Sequence, residues 1–240
     1  MRKLNEECGV FGIYSKERYR IADDIYYGLF ALQHRGQESC GISVNDDGIF
    51  TTHKECGIVN DVFTKEKLMS LGEGSIALGH VRYASHGTED NANSQPVVIN
   101  HIKGRMAIAH NGNIVNAYDL REELELNGSI FHTTSDTEVI AYLITKERLA
   151  SPSIEEALNR AMNRITGAYS LVIMSPTKLI AARDEMGFRP LCLGVTENGS
   201  YVFASESCAL DAVNAKFLRD VEPFYFKPII LNNSLTRIVL

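Results

Sequence analysis

The pattern of apolar and polar residues predicts strands at both ends of the chain and helices in its early and middle parts. Residues 21–33 carry apolar side chains three or four positions apart, which is typical of a helix with one buried face. Short apolar runs bounded by Gly, Asn or Asp indicate strands. The predicted strands are 8–14, 41–44, 49–53, 75–83, 97–100, 105–110, 169–174, 179–183, 191–195 and 200–204, and the predicted helices are 21–33, 117–125, 136–149, 154–165 and 207–213.

Two boundaries are marked by local sequence signals. Asn111-Gly112-Asn113 is expected to stop the strand at 105–110, because Asn-Gly favours turns. Ser135 is a predicted N-cap, and Glu138 three residues later completes a capping-box pattern. No linker or internal repeat divides the chain, so we expect one domain of class α/β or α+β.

The composition is that of an ordinary globular protein. Of 240 residues, 45% are hydrophobic and 22% are charged. The net charge of -6 argues against nucleic-acid binding, which normally requires a basic surface. There is no signal peptide and no apolar run of about 18 residues, so we expect a cytoplasmic protein with no membrane span.

Five widely spaced cysteines, with no CxxC pair, favour free thiols over a zinc site, an iron–sulfur cluster or a disulfide scaffold. We therefore expect no metal and no cofactor in this segment.

Two segments could together hold an amino acid. Arg82, in a polar stretch that also contains Ser85 and His86, could bind a carboxylate through two hydrogen bonds. Taken alone, an exposed arginine at a strand end is the commoner interpretation. Asp136, at a predicted helix start, either complements the helix dipole or receives an ammonium group.

Two further segments could supply reaction chemistry. The Asn111 amide and the Gly112 backbone N–H could stabilise an oxyanion, although a plain turn is the simpler interpretation. Cys8 alone is more simply a buried core residue than a nucleophile. None of the seven histidines forms an obvious cysteine–histidine pair, which weighs against a papain-like hydrolase.

These segments, taken in order, resemble the class II glutamine amidotransferases, whose catalytic domain is an N-terminal-nucleophile hydrolase. Within that class they are most similar to the amidophosphoribosyltransferase family of purine synthesis. The segments that carry the resemblance are Cys8-Gly-Val-Phe-Gly-Ile13, Leu32-Gln-His-Arg-Gly-Gln37, His80-Val-Arg-Tyr83, His110-Asn-Gly-Asn113, Thr134-Ser-Asp-Thr-Glu138 and Gly187-Phe-Arg-Pro190. The second segment distinguishes this family from glucosamine-6-phosphate synthase.

The resemblance implies an α+β fold, a four-layer αββα sandwich of two antiparallel sheets between helical layers. It implies that Cys8 attacks the side-chain amide of L-glutamine, with its own α-amine as the base, after residues 1–7 are removed as a propeptide. Asn111 and Gly112 would form the oxyanion hole, and Arg82 and Asp136 would hold the substrate head. Ser85, His86, Arg35 and Gly36 would line or brace the pocket.

The resemblance covers residues 8–223, and residues 224–240 form an atypical tail. A phosphoribosyltransferase domain or subunit would be the ammonia acceptor, and no segment of such a domain is found here. A homo-oligomer is compatible with the sequence. Two alternatives stay open, namely a glutaminase domain that serves another acceptor, such as glucosamine-6-phosphate synthase, and an inactive regulatory relative.

Overall fold

The computed structural model describes residues 7–83 and 91–223, and the backbone of residues 229–232. The strands are β1 Gly9–Tyr19, β2 Ser39–Asp46, β3 Ile49–Cys56, β4 Gly74–Arg82, β5 Val97–His101, β6 Gly104–Ile114, β7 Gly167–Met174, β8 Lys178–Arg183, β9 Cys192–Thr196, β10 Tyr201–Ala204, β11 Ala215–Asp220 and β12 Ile229–Asn232. The helices are α1 Ile21–Ala31, α2 Val59–Val62, α3 Lys65–Ser70, α4 Ala117–Leu126, α5 Asp136–Ala150, α6 Ile154–Met162 and α7 Ser207–Asp211.

The strands form two sheets in which every described pairing is antiparallel. The seven-stranded sheet has the order β11-β9-β10-β1-β4-β2-β3, and the five-stranded sheet has the order β12-β8-β7-β6-β5. One apolar cluster joins the seven-stranded sheet to α1, α2 and α7, a second fills the space between the sheets, and a third joins the five-stranded sheet to α4, α5 and α6. This arrangement confirms the predicted four-layer α+β sandwich.

The alternation of side chains along β1 shows how one strand serves two layers. Phe11 and Ile13 face α1, whereas Val10 and Tyr14 face the other sheet. The helix α1 can pack closely on this strand because residue 28 is glycine, since a Cβ there would lie 2.5 Å from the Phe11 ring. Both faces of β1 are therefore buried, and only its ends can reach a surface cleft.

The structure corrects two local predictions. The strand β6 does not stop at residue 110 but continues through Asn111-Gly112-Asn113 to Ile114, because these residues stay paired with β7. Ser135 does cap α5 by accepting a hydrogen bond from the Thr137 N–H, but Glu138 does not complete the capping box. Its carboxylate instead accepts hydrogen bonds from the backbone N–H groups of residues 132 and 133.

Several elements were not predicted from the sequence. These are the short helices α2 and α3, the 3₁₀ helices Gln33–Arg35 and Asn91–Asn93, and the strands β11 and β12. The strand β12 belongs to the segment described above as an atypical tail, and its backbone pairs with β8 at the edge of the five-stranded sheet. Part of that tail is therefore a component of the fold.

Candidate active site

A cleft of about 630 Å³ opens at one end of the sandwich. Its wall combines the residues before β1, the end of β4, the last part of β6 and the start of α5. The residues that line it are Glu7, Cys8, Arg82, Tyr83, Asn93, Gln95, His110, Gly112, Asn113, Ala117, Tyr118, Arg121, Thr134, Ser135, Asp136, Val139 and Arg189. Four of the predicted site residues, Cys8, Arg82, Gly112 and Asp136, therefore share one cleft although they are distant in sequence.

Cys8 lies immediately before β1 in a left-handed backbone conformation, with φ of 66°. Its Sγ accepts a hydrogen bond from the Tyr83 N–H at 3.3 Å and donates to the Tyr83 carbonyl at 3.6 Å. Among the described residues no titratable group is hydrogen-bonded to Sγ. Burial raises the pKa of the Cys8 thiol, and the opposing effects of the Tyr83 backbone and Arg82 do not reverse that shift. The thiol therefore needs a base before it can act as a nucleophile at neutral pH.

Arg35 holds the backbone of Cys8 from both sides. The Arg35 carbonyl accepts a hydrogen bond from the Cys8 N–H at 2.8 Å, and the Arg35 Nε donates to the Cys8 carbonyl at 2.7 Å. Gly36 follows in extended conformation, and a Cβ there would lie 2.7 Å from the backbone of Val81. Neither Arg35 nor Gly36 lines the cleft, so both support the backbone around Cys8 from behind.

Arg82, at the end of β4, is held by a carboxylate of the same chain. Its Nη1 donates to Glu38 Oε1 at 2.6 Å, and both side chains are about one-fifth exposed, at 21% and 17%. Glu38 does not line the cleft, whereas Arg82 does. The ion pair therefore orients a guanidinium that still reaches the cleft, where a planar fork of donors suits a carboxylate.

Asp136, the first residue of α5, presents a negative charge to the same cleft. Its Oδ2 accepts a hydrogen bond from the Ile114 N–H at 3.1 Å, and its Oδ1 lies 3.4 Å from His110 Nδ1. Burial alone would raise the pKa of Asp136, but His110 and the backbone N–H groups of Ile114 and Thr137 outweigh it and hold the pKa below its usual value. The carboxylate is therefore ionised at neutral pH and can receive a cationic group.

Asn111 is fully buried on β6, and neither polar atom of its side chain has a hydrogen-bond partner among the described residues. Strand alternation places it on the same side as Ala107 and Ala109, which face the seven-stranded sheet. Buried unpaired amides are rare in folded proteins, because each lost hydrogen bond costs about 1–3 kcal/mol. Asn111 is not itself among the residues that line the cleft, but its neighbours His110 and Gly112 are, so its unpaired amide lies directly behind the cleft wall.

Gly112 could not be replaced by another residue without moving the neighbouring strand. Its φ is 139°, and a Cβ at this position would lie 2.1 Å from the Ala168 carbonyl oxygen. The glycine therefore lets β6 stay paired with β7 beside the cleft.

Comparison with known proteins decides the family. The sequence profile described as "Glutamine amidotransferase domain" matches residues 80–212, which is more than half of the chain. The chain belongs to the glutamine amidotransferase domain family. Its fold is that of the N-terminal-nucleophile hydrolases: the solved glutamine phosphoribosylpyrophosphate amidotransferase from Bacillus subtilis, complexed with ADP and GMP, superposes with a TM-score of 0.85 at 43% identity.

The amidotransferase domain is homologous to amidophosphoribosyltransferases. It is 49% identical over 216 residues to the protein of Methanocaldococcus jannaschii and 45% identical over 224 residues to that of Bacillus subtilis. These alignments cover 90% and 93% of this chain but only 45% and 46% of the two relatives. The solved Bacillus structure is likewise covered to 47%, and 94% of this chain is aligned with it. The chain thus spans about half the length of the relatives that it matches.

Not every predicted site residue can be placed. Ser85 and His86 lie outside the described residues. In the described part of the amidotransferase domain, no helix is long and apolar enough to cross a membrane. The same part contains no group of three His, Cys, Asp or Glu side chains arranged to share a metal ion.

Sequence reasoning missed a polar layer behind Asn111. The Gln95 side chain accepts from the His110 N–H at 2.7 Å and donates to the His110 carbonyl at 3.3 Å. The buried His80 donates from Nε2 to the same carbonyl at 2.9 Å, and burial lowers the pKa of His80 to about 3. His80 and His110 both lie in segments that carried the resemblance, and that was the available signal. Together these contacts fix the backbone of β6 next to Asn111.

Proposed function

We propose that this domain hydrolyses L-glutamine to glutamate and ammonia, with Cys8 as the nucleophile. One observation carries the proposal: a cysteine, an arginine and an ionised aspartate share one cleft, beside a buried asparagine amide that has no partner among the described residues. Arg82 and Asp136 have the charges that the α-carboxylate and the α-ammonium of an amino acid require. The membership of the family supports the choice of glutamine.

The base in this proposal is the α-amine of Cys8 itself. No described side chain is hydrogen-bonded to Sγ, and the pKa of the thiol lies above its usual value. An α-amine has a reference pKa of about 7.7–8.0, so a useful fraction is neutral near pH 7. In the 240-residue chain the nitrogen of Cys8 is an amide that donates to the Arg35 carbonyl, and an amide cannot act as a base.

The proposal therefore includes the removal of residues 1–7. The Cys8 Sγ would attack the Glu7 carbonyl carbon, the thiol proton would pass to the departing nitrogen as the peptide C–N bond breaks to give a thioester and a free amine, and water would then hydrolyse the thioester. Two observations support this step: Glu7 lines the cleft, and Cys8 carries the strained backbone conformation that concentrates at functional sites.

With the amine free, Sγ attacks the side-chain amide carbon of glutamine, and the amine takes the thiol proton. The oxyanion would be stabilised by the Asn111 Nδ2 and the Gly112 N–H, each worth roughly 3–4 kcal/mol in comparable sites. The ammonium form of the Cys8 amine returns a proton to the departing ammonia, and water hydrolyses the γ-glutamyl thioester. Neither a metal nor an organic cofactor takes part in this scheme.

We further propose that the ammonia passes to a phosphoribosyltransferase domain or subunit, for phosphoribosylamine formation in purine biosynthesis. The support is the homology to amidophosphoribosyltransferases, of which this chain spans about half. All five cysteines are free thiols, and a nucleophilic cysteine must stay reduced, so the proposal places the protein in the cytoplasm.

The test combines intact mass with a glutaminase assay on the same sample. We expect the mass of active protein to lack the first seven residues, and L-glutamine to yield glutamate and ammonia in equal amounts. Full activity in a chain that retains those residues would contradict the base assignment. A processed chain that releases no ammonia from glutamine would contradict the function.

A further inference from the structure

The conformation of Cys8 has to be imposed by its surroundings. A left-handed backbone is unfavourable for a residue with a Cβ, because the Cβ comes too close to the following carbonyl oxygen. Such strain persists only where neighbouring groups hold it, and here the two hydrogen bonds to Arg35 do so. The position of the nucleophile therefore depends on how firmly Arg35 is itself held.

Arg35 is held by a residue 171 positions away in the chain. Its Nη1 forms an ion pair with Glu206 Oε1, and the Arg35 side chain is only 1% exposed. A buried guanidinium requires a counter-charge, because removal of one partner from a buried pair costs several kcal/mol. Nη1 is therefore bonded to Glu206 while Nε is bonded to the Cys8 carbonyl.

The residue next to Glu206 supports the start of β1 directly. The Ser205 Oγ accepts a hydrogen bond from the Val10 N–H at 2.9 Å, and the Ser205 N–H donates to the Val10 carbonyl at 3.1 Å. The pair Ser205-Glu206 thus supports both Val10 in β1, directly, and Cys8 just before β1, through Arg35.

The other oxygen of Glu206 is also occupied. His34 Nε2 lies 3.0 Å from Oε2, and the Cys208 thiol lies 3.7 Å from the same oxygen. Both oxygens of the carboxylate are therefore fixed, Oε1 by Arg35 and Oε2 by His34 and the Cys208 thiol. A glutamine at this position would keep the shape of the side chain but lose the negative charge that faces the buried Arg35 guanidinium.

We propose that Glu206 is a positioning residue for the reaction of Cys8, which it serves by holding Arg35 against the Cys8 carbonyl. This inference rests on the proposed function, because the reaction that it serves is the attack by Cys8. Glu206 does not line the cleft, and the groups that would hold the substrate head, Arg82 and Asp136, are not bonded to it. Its loss should therefore impair attack and leave glutamine binding intact.

The test compares Glu206→Gln with a matched control, Glu123→Gln. The Glu123 carboxylate also bridges two cations, Arg164 and Lys146, but it lies outside the cleft wall. Measured per processed chain, we expect kcat of the Glu206 variant to fall about ten- to hundredfold, as for a slightly misplaced reacting group, with KM within about threefold of the parent. The control should change neither parameter.

Each other outcome has a defined meaning. A folded Glu206→Gln chain that keeps residues 1–7 while the parent loses them supports the proposal, because the same thiol performs that cleavage. A processed variant with the kcat of the parent overturns the proposal, whatever its melting temperature, and leaves the glutaminase function intact. Activity that survives Cys8→Ala would instead overturn the function. If the Glu206→Gln chain shows no cooperative unfolding, Glu206→Asp is compared with Glu123→Asp instead. The expected changes in kcat and KM are then the same.

Discussion

The two sides of the cleft differ in how completely their polar groups are bonded. On one side, which we call the nucleophile edge, Cys8, Arg35 and Arg82 are held by hydrogen bonds to neighbours in the described structure. On the other, the oxyanion edge, the buried Asn111 side chain on β6 has no partner in the described part of the chain, although the backbone around it is firmly held. In the proposed reaction, the attacking atom is thus placed by bonds already made, whereas the Asn111 amide keeps its hydrogen bonds for a group that exists only during that reaction.

This difference agrees with what each edge has to do. A nucleophile gains from a fixed position in the ground state, since orientation is established before the reaction begins. A donor for an oxyanion gains only from interactions that strengthen in the transition state. An unpaired amide destabilises the folded protein, and such local destabilisation is expected at functional sites.

The largest expected effect is the loss of the sulfur at the nucleophile edge. We expect Cys8→Ala to lower the hydrolysis of glutamine by at least about 10³-fold, because no other described group in the cleft can form the thioester. Residues 1–7 should also remain attached, which intact mass would reveal. Cooperative unfolding close to that of the parent would show that the fold is intact. Turnover comparable to the parent would remove Cys8 from the mechanism.

The next largest effect is expected at the oxyanion edge. Asn111→Ala should lower kcat about 10²–10³-fold with little change in KM, since the amide donates only after attack has begun. Steady-state kinetics on processed protein measure both parameters. A variant with altered KM and unchanged kcat would show that Asn111 binds the ground state, and the contrast between the two edges would then be wrong.

The elements of the oxyanion edge show where local sequence signals fail. Asn-Gly predicted a turn, yet residues 111–113 continue β6, because pairing with β7 outweighs the preference of the dipeptide. The extended backbone with positive φ at Gly112 needs the same residue type that a turn would need. The sequence therefore indicated a glycine with a special conformation but not the structure in which it lies.

The nucleophile edge shows that local sequence patterns do not predict contacts between residues far apart in the chain. The strand before Arg82 and the helix that begins at Asp136 were predicted from periodicity and capping, and the structure confirms both. The carboxylates that hold the two arginines, Glu38 and Glu206, were not predicted as partners. They lie 44 and 171 residues from Arg82 and Arg35, and no local pattern indicates contacts at such separations.

A smaller effect should separate binding from attack within the nucleophile edge. Arg82→Lys keeps the positive charge but loses the planar fork, so KM for glutamine should rise about tenfold with kcat less affected. Glu38→Gln is the matched control, because it removes the carboxylate that orients Arg82 and leaves the guanidinium in place. If Arg82→Lys lowered kcat alone, the arginine would act on the reacting group and not on the substrate head.

Stability offers an independent measure of the unpaired amide. Asn111→Leu replaces a buried amide by an apolar side chain of similar size, so we expect the free energy of unfolding to rise by about 1 kcal/mol while activity is lost. Denaturant unfolding of the variant and the parent measures the difference. Ser170 pairs with Asn111 in register, and Ser170→Ala tests whether any loss of polarity in this region has the same effect. A destabilised Asn111→Leu would mean that the amide is satisfied in the folded protein.

The smallest expected effect concerns acid stability at Asp136. Burial opposes its charge, but His110 and two backbone N–H groups hold its pKa below the usual value of 3.8. A carboxylate with a lowered pKa in the folded state contributes stability above pH 3.8, and that contribution is lost as the pH falls through the lower folded value. Asp136→Asn should therefore lose less stability than the parent below about pH 4, by at most about 1.4 kcal/mol per pH unit.

Asp119→Asn, an exposed position in the first turn of α4, is the control for the removal of a helix-start charge. Equal slopes in Asp136→Asn and the parent would mean that His110 and the backbone do not stabilise the charge, and Asp136 would then lose its assigned place as the receiver of the substrate ammonium group.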